Sequence, residues 1–222
     1  MQIEYCEQRT PEWHLHRRGK PTSSRFDKIV TSAGKPVDSK ARHTYALQLA
    51  GERFTRITHD YGIGPAAEHG IIYEPKGRGW FTTQTDMKVA QVGTIFPDGH
   101  RDWCASPDGM IDGEGQHYRA GLEIKAPQKT GQLAALYGYP KLPTHHKVQV
   151  QGQMWVTGCQ EWYYVSYTED GMITESGLEW LPSKIWTVEP DLELHKAFEK
   201  ELPKFCKQVE EITEKLREAA NG

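Results

Sequence analysis

The sequence predicts a single α/β domain in which a central mixed β-sheet is flanked by helices. Three observations predict this class: helical spacing of apolar residues over the first 60 positions, strand-like alternation from Met87 onward, and one helical segment between the last two predicted strands. With 222 residues, the chain is long enough to form one sizeable domain with a packed core.

The N-terminal part is predicted to be helical. Thr10-Pro11-Glu12 combines a capping hydroxyl, a first-turn proline and an acid at the positive end of the helix dipole, so a helix begins there. Thr22 to Ser24 cap a second, short helix, and apolar spacing predicts a third over residues 40–58.

A fourth helix is predicted from about Pro65, with a break or bend where Pro75, Gly77 and Gly79 disturb the pattern. Strands follow, separated by turn residues such as those at 97–99 and 112–115. The predicted strand segments are KVAQVGTIF, RDWCAS, DGMID, GLEIKAP and EWYYVSYT. A helix over about 145–157, which carries KVQVQGQMWVT and ends at Gly158, lies between the last two of them.

The C-terminal segment, 191–219, is predicted to be helical, with a kink or division at Pro203. Its apolar side chains recur in steps of three and four: Leu194, Phe198, Leu202, Phe205, Val209, Ile212 and Leu216. We interpret this stripe as packing on the protein's own core, with a subunit contact as the alternative.

Composition limits the classes of partner and compartment. The net charge of −3 excludes a protein that is basic overall, so any phosphate contact must come from a local patch. No apolar run approaches the ~20 residues of a bilayer-spanning helix, and the N-terminus lacks the pattern of a signal peptide. The four cysteines are scattered, which favours a reducing, cytoplasmic setting over a disulfide frame or a zinc site.

The N-terminal patch is the best candidate for phosphate contact. Residues 13–35 contain one acid, Asp27, and six basic residues: Arg17, Arg18, Lys20, Arg25, Lys28 and Lys35. Such a run is typical either of a solvated face or of a phosphate-binding surface.

The strongest chemical pattern lies between residues 106 and 127. In the predicted strand GLEIKA, Glu123 and Lys125 point to the same face, and Asp108 follows a Ser-Pro turn shortly upstream. A structural ion pair explains this arrangement. A Mg²⁺ site also explains it, with Asp108, Glu123 and the backbone carbonyl of Ile124 as oxygen ligands and Lys125 orienting and helping to deprotonate an attacking water.

Several short motifs occur in a fixed order between residues 13 and about 167. They are Trp13-His14 with Arg17 and Gly19, Thr22-x-Ser24, Gly70-x-x-Tyr73-Glu74, Cys104 to Gly109, Leu122 to Lys125, and Gln149-Val150-Gln151 with Met154 to Thr157. In these motifs the chain resembles the lambda-exonuclease-like, or YqaJ-type, phage recombination nucleases of the PD-(D/E)xK superfamily.

The resemblance implies a restriction-endonuclease-like core and a role for each matched position. Asp108, Glu123 and the Ile124 carbonyl would bind Mg²⁺, with Mn²⁺ as a possible substitute, and Lys125 would lie beside the nucleophilic water. The resemblance further implies that Glu74 supports a second metal position, that Gln149 lies against the site, and that the 5′-terminal phosphate is held by three residues: Arg17, Ser24 and Lys35.

The implied activity is that of a Mg²⁺-dependent 5′-to-3′ exonuclease. It degrades one strand of linear duplex DNA and leaves 3′ overhangs for recombination by single-strand annealing. The implied assembly is a homotrimeric ring that encloses DNA and works with an annealing protein in the host cytoplasm, away from membranes. The expected division of the single nuclease domain is a 5′-end-binding region over 1–60, a catalytic core over 61–168, and a C-terminal strand and helices over 169–222.

Two other functions are compatible with the same residues. One is a restriction-type or junction-resolving endonuclease of the same superfamily. The other is a DNA-binding assembly module in which the acidic cluster is structural.

Overall fold

The five α-helices and the 3₁₀ helix below are those of a computed structural model, which describes residues 1–58, 64–114, 117–128, 131, 135, 141–169, 171–174, 177–180 and 182–222. The helices are α1 (Pro11–Arg17), α2 (Lys40–Thr55), α3 (Pro65–Thr85), α4 (Thr144–Thr157), α5 (Leu192–Asn221) and a 3₁₀ helix (Ser23–Lys28). Helix α1 is capped as predicted, since the Thr10 hydroxyl accepts a hydrogen bond from the Trp13 N–H.

Nine strands are found in these residues. They are β1 (Gln2–Glu4), β2 (Val89–Ala90), β3 (Thr94–Phe96), β4 (Gly109–Glu114), β5 (His117–Lys125), β6 (Trp162–Ser166), β7 (Gly171–Thr174), β8 (Gly177–Trp180) and β9 (Lys184–Val188). The central sheet has the order β2-β4-β5-β6-β9, and two further pairs are β1-β3 and β7-β8.

The central sheet is mixed, as predicted, because β5 and β6 are parallel and their neighbours are antiparallel. Parallel strands need a crossover, and α4 lies on the connection between them. Their register pairs Glu123 with Tyr164 and Lys125 with Ser166. The α/β fold with a flanked central sheet is therefore confirmed.

Side chains of β6 alternate between two hydrophobic cores on opposite faces of the sheet. Trp162 and Tyr164 join the larger core, to which α2, α4 and α5 contribute. Tyr163 and Val165 join a smaller core that includes Phe81 of α3. Because both faces of the sheet are apolar, helices pack on both of them, and β5 lies between the two layers.

Helix α3 is continuous through Pro75, so the predicted break is wrong. The reason is packing. Gly77 faces β5, and a Cβ added there would lie 2.8 Å from Ile124 Cγ2 and 3.1 Å from Tyr167 Cβ. Glycine lets the helix approach the strand closely, and this contact outweighs the hydrogen bond that proline removes. Helix α5 is likewise undivided at Pro203, because its buried stripe packs along one core.

The strand predictions need four corrections. The segment over 101–106 is no strand, since only Cys104 and Ala105 form isolated bridges. KVAQVGTIF contains two short strands, β2 and β3, instead of one. Residues 112–114 belong to β4 and not to a turn, and 115–116 lie outside the described residues. One strand was expected within 169–222 without bounds, and three are found among the described residues there: β7, β8 and β9.

In the described part of the chain, no helix is both long enough and apolar enough to cross a membrane. The third predicted helix ends at Thr55, three residues early, because Arg56 adopts a left-handed conformation with φ +59°. The last helix matches its predicted span to within two residues at each end.

Candidate active site

One cleft of about 1290 Å³ brings nearly all the predicted site residues together. Helices α1 to α4, the 3₁₀ helix and the end of β5 contribute to its wall. The predicted residues that line it are Arg17, Ser24, Glu74, Asp108, Glu123, Ile124, Lys125 and Gln149. Lys35 is exposed in the turn after the 3₁₀ helix and is not among the lining residues.

Asp108 is fixed at the edge of β5 by two hydrogen bonds. Its backbone N–H donates to the Leu122 carbonyl over 3.1 Å. Its Oδ2 accepts from the Ile124 N–H over 2.6 Å. The antiparallel register that pairs Gly109 with Leu122 produces both contacts. Asp108 therefore lies beside the strand that carries Glu123 and Lys125.

Glu123 is 1% exposed, and both of its carboxylate oxygens are engaged. Oε1 accepts from Lys125 Nζ and, over 2.6 Å, from Gln149 Nε2. Oε2 accepts from Gln153 Nε2 over 2.6 Å. A carboxylate buried to this degree requires such partners, since an unpaired buried charge is costly.

The cluster is electrostatically crowded. Burial, and then the charges of Glu123 and Glu74, raise the pKa of Asp108 well above its ordinary value. Burial lowers the pKa of Lys125, but the carboxylates of Glu123 and Asp108 outweigh it and hold that pKa above its ordinary value. Lys125 is therefore charged and acts as a hydrogen-bond donor in this state.

The donor set fits a hard divalent cation. Two carboxylates and a backbone carbonyl offer oxygen ligands at the end of β5. A cation there would counteract both causes of the raised pKa of Asp108, namely burial and then the charges of Glu123 and Glu74. Among the described residues, no group of three or more His, Cys, Asp or Glu side chains is arranged to hold a metal ion. Mg²⁺ suits such a site, because it takes few protein ligands and keeps several waters.

Glu74 lies in the same cleft and is held by two arginines. Its Oε1 accepts from Arg78 and its Oε2 from Arg9, each over 2.6 Å. Arg78 also donates to the backbone carbonyl of Asp108 over 2.9 Å. The continuous helix α3 places Glu74 and Arg78 one turn apart on one face. Arg78 thereby links Glu74 to Asp108, a contact that the sequence did not predict.

Arg17 is positioned by its own helix and by Ser106. Its guanidinium lies 4.0 Å from the Trp13 ring centroid and donates to Ser106 Oγ over 2.7 Å. Trp13 Nε1 donates to the same hydroxyl over 3.0 Å. Ser24 shares a hydrogen bond of 3.1 Å with Thr22. Ser106 was missed, although it precedes Asp108 in the motif that marked the site.

Two polar residues of α4 have roles that the sequence did not reveal. Gln151 faces away from the cleft and bonds to Glu189 and Asp191 at the start of α5. His146 lines the cleft, and its Nδ1 lies 2.6 Å from the hydroxyl of Tyr164. Burial lowers the pKa of His146 to about 3, so the ring is neutral at ordinary pH.

Comparison with known proteins agrees with this architecture. The model of the YqaJ-like viral recombinase domain matches residues 12–160. No curated protein matches the chain.

Solved structures match over nearly the whole length. The crystal structure of the alkaline exonuclease LHK-Exo from Laribacter hongkongensis has a TM-score of 0.78 and 27% identity, and covers 96% of this chain and 99% of its own. LHK-Exo in complex with dAMP gives the same TM-score and coverage at 28% identity. A phage related exonuclease from Haemophilus somnus, 13% identical with a TM-score of 0.58 over 90% of this chain and 96% of its own, shares the fold.

Proposed function

The chain belongs to the YqaJ-like viral recombinase domain family and is an exonuclease, and we propose that it digests one strand of linear duplex DNA from its 5′ end. The observation that carries this proposal is the convergence of Asp108, Glu123 and Lys125 at the end of β5, inside a cleft of about 1290 Å³. The product would be a 3′ overhang, which suits recombination by single-strand annealing.

Mg²⁺ is the proposed cofactor, with Mn²⁺ as a substitute. Asp108, Glu123 and the backbone carbonyl of Ile124 would hold it. Bound there, such an ion polarises a phosphate and neutralises the charge that develops on it. Each oxygen of Glu74 accepts one hydrogen bond from an arginine, which leaves one lone pair on each oxygen for a second metal position or its waters.

Lys125 and Gln149 would organise the reacting groups. The ammonium of Lys125 donates a hydrogen bond to the attacking water or to a phosphate oxygen, and its contact with Glu123 fixes its direction. Attack by water forms a P–O bond and breaks the bond between phosphorus and O3′. The O3′ atom takes up one proton and leaves as a hydroxyl, and the new phosphate releases the other proton of the water to solvent. The shortened strand then carries a new 5′ phosphate, so the next cycle begins on the same kind of end.

The terminal 5′ phosphate would be held on the α1 side of the cleft. Arg17 suits this task because its planar guanidinium can donate two parallel hydrogen bonds to two phosphate oxygens. The contacts with Trp13 and Ser106 fix its position. Ser24 lines the cleft near the start of the 3₁₀ helix. Ser106 joins this group on structural grounds. Lys35 lies in an exposed turn outside the cleft and has only the sequence motif in its favour.

We extend the proposal to a homotrimeric ring that works with an annealing protein in the cytoplasm of a phage-carrying host. A ring lets a chain with a net charge of −3 surround DNA with a locally basic wall. Exposed apolar side chains suit a subunit contact, and Ile57 is 70% and Ile72 55% exposed.

The test compares linear and closed circular duplex, with and without Mg²⁺, using linear ends with a 5′ phosphate or a 5′ hydroxyl. We expect degradation only of linear DNA, only with Mg²⁺, and faster from phosphorylated ends. Nicking of circles at low enzyme concentration would instead indicate an endonuclease. Equal rates from both kinds of end would contradict the proposal that the protein binds the 5′ phosphate.

Lys125→Met provides the matching variant test. Removing the ammonium should lower hydrolysis by roughly 10²- to 10⁴-fold, while duplex binding and the folded state persist. The control is Lys88→Met, which removes an exposed lysine next to β2 and should keep wild-type activity. A structural acidic cluster predicts the opposite for Lys125→Met, namely lower stability and no change in the nuclease rate.

A further inference from the structure

A second cavity, of about 410 Å³, lies where the loop after α1 meets the end of α2 and helix α5. Three carboxylates line it. Six basic side chains also line it: Arg18, Lys20, Arg53, Arg56, Arg101 and Arg217. We call it the basic pocket. In a chain whose net charge is −3, this concentration of positive charge creates a local field that attracts anions.

The basic pocket shares part of its wall with the cleft of the candidate active site. Arg18, Lys20, Glu52 and Arg56 line both cavities. Arg17, the neighbour of Arg18 in sequence, lines only the cleft. The loop after α1 therefore stands at a junction, with the candidate catalytic residues on one side and the basic pocket on the other.

The backbone of this junction is held by consecutive residues of α2. The Gly19 N–H donates to Glu52 Oε2 over 2.7 Å, and Arg53 Nε donates to the Gly19 carbonyl over 2.8 Å. Gly19 has φ +68°, and a Cβ there would lie 2.5 Å from Arg53 Cγ, so glycine is required. Since both peptide groups are fixed, Arg18 and Lys20 leave the loop in defined directions.

Three of the six cations lack a carboxylate partner among the described residues. Arg18 donates to the backbone carbonyl of Arg56 over 2.5 Å, and Lys20 donates to that of His16 over 3.0 Å. Arg56 itself ends α2 and is exposed. The other three cations are paired, with Glu4 or with acids of α5.

Lys20 responds to this crowding. Burial lowers its pKa, and the positive charges of Arg101, Arg53 and Arg18 lower it further. A bound anion reverses the second effect, since it supplies the charge that the pocket lacks. Phosphate fits, because arginine offers paired donors and lysine a compact charge.

We propose that the basic pocket binds a phosphate group, either from the DNA backbone beyond the cleft or from a free nucleotide. The first source rests on the proposed function, since it places the pocket on the path of the same substrate. Binding there displaces counterions from the phosphate, so it contributes affinity that falls as salt rises. The pocket thus holds DNA without taking part in the hydrolysis.

The test removes two of the unpaired cations with Lys20→Gln and Arg56→Asn together. Asparagine is chosen because it tolerates the left-handed backbone of Arg56, at φ +59°. The control, Lys196→Gln with Lys200→Gln, removes the same charge from exposed positions on α5. Arg56→Asn alone provides a milder variant if the double variant unfolds.

Binding to a linear duplex with 5′ phosphates is measured without divalent ions at several salt concentrations. The slope of log affinity against log salt should become shallower by roughly one to two in the double variant, and by roughly one in Arg56→Asn. The control should keep the wild-type slope. Titration with inorganic phosphate and with a nucleoside monophosphate, followed by calorimetry, forms the second arm.

A shallower slope in the double variant supports phosphate binding in the basic pocket and identifies DNA as the source of the phosphate. An unchanged slope with loss of phosphate or nucleotide binding supports the pocket and assigns it to a free nucleotide. Unchanged behaviour in both arms overturns the proposal. Because neither arm involves hydrolysis, a wild-type protein that fails to degrade linear DNA contradicts the proposed function and leaves this test intact.

Discussion

Two amides of α4 are almost fully buried, yet they stabilise different parts of the molecule. Gln153 donates to Glu123 in the candidate site, whereas Gln151 bonds to Glu189 and Asp191 at the start of α5. Gln149 and Gln153 are four residues apart, so they share a helix face. The sequence motif pointed to Gln149 and Gln151. Gln153 was not predicted, although its spacing of four residues from Gln149 is consistent with its place beside Glu123.

These two glutamines form a matched pair of variants. Gln153→Leu leaves a buried carboxylate oxygen without its donor, so we expect a loss of about 1–3 kcal/mol in the free energy of unfolding. It should also weaken Mn²⁺ or Mg²⁺ binding by roughly 10- to 100-fold, because the amide orients a proposed ligand. Gln151→Leu should lower stability by a similar amount while metal affinity, measured by calorimetry, stays at the wild-type value. Equal metal affinity in both variants would contradict the positioning role of Gln153.

At the scale of elements, long periodic segments were predicted well and short or proline-containing ones poorly. Periodicity located α2, α4 and α5 because each buries a stripe against the larger core. It did not identify the continuity of α3, since that depends on Gly77 meeting β5, a contact between residues distant in sequence. Short strands such as β2 and β3 are defined by their partners, which local alternation does not reveal.

Helix α3 offers a test of this explanation with two glycines in one helix. Gly79→Ala adds a methyl group to open space and should raise the free energy of unfolding by about 0.5–1 kcal/mol through helix propensity. Gly77→Ala should lower it by about 1–3 kcal/mol, because the methyl meets Ile124 and Tyr167. Denaturant unfolding of both variants measures whether each substitution raises or lowers the free energy of unfolding. Stabilisation by both would show that α3 does not need its close approach to β5.

The candidate site shows the same division between local and distant information. Asp108, Glu123 and Lys125 were identified because they lie within one hairpin of the sequence. Arg78 and Ser106 were not, because their partners come from other elements. Lys35 matched the family motif only loosely, and it lies outside the cleft.

At the scale of the whole molecule, the net charge conceals local differences. Basic side chains outnumber acidic ones along the basic pocket. Helix α5 carries seven acidic and six basic side chains, and pairs such as Glu214 with Arg217 neutralise each other. A chain with a net charge of −3 can therefore hold a locally basic surface.

The stability of the whole fold should depend on pH through His146. Its folded pKa is about 3, against an ordinary value of 6.5, so the unfolded chain binds a proton that the folded chain rejects. The contribution of His146 to the free energy of unfolding is fully present above about pH 6.5 and is lost as the pH falls toward 3. When the pH is lowered from 7 to 5, the free energy of unfolding should fall in both proteins. The decrease should be smaller in His146→Asn than in wild type, by about 1–2 kcal/mol. Parallel curves for the two proteins would contradict this.

The hairpin of β4 and β5 has a consequence for the order of folding. It brings Asp108 and Ile124 together across only 16 residues, so these contacts form early in a folding chain. The amides that satisfy Glu123 come from α4, up to 30 residues away, and Arg78 comes from α3, 30 residues before Asp108. Until both helices dock, water surrounds the carboxylate and Lys125 has no fixed direction. A newly made chain is thus expected to gain hydrolytic activity only after α3 and α4 have docked against the hairpin.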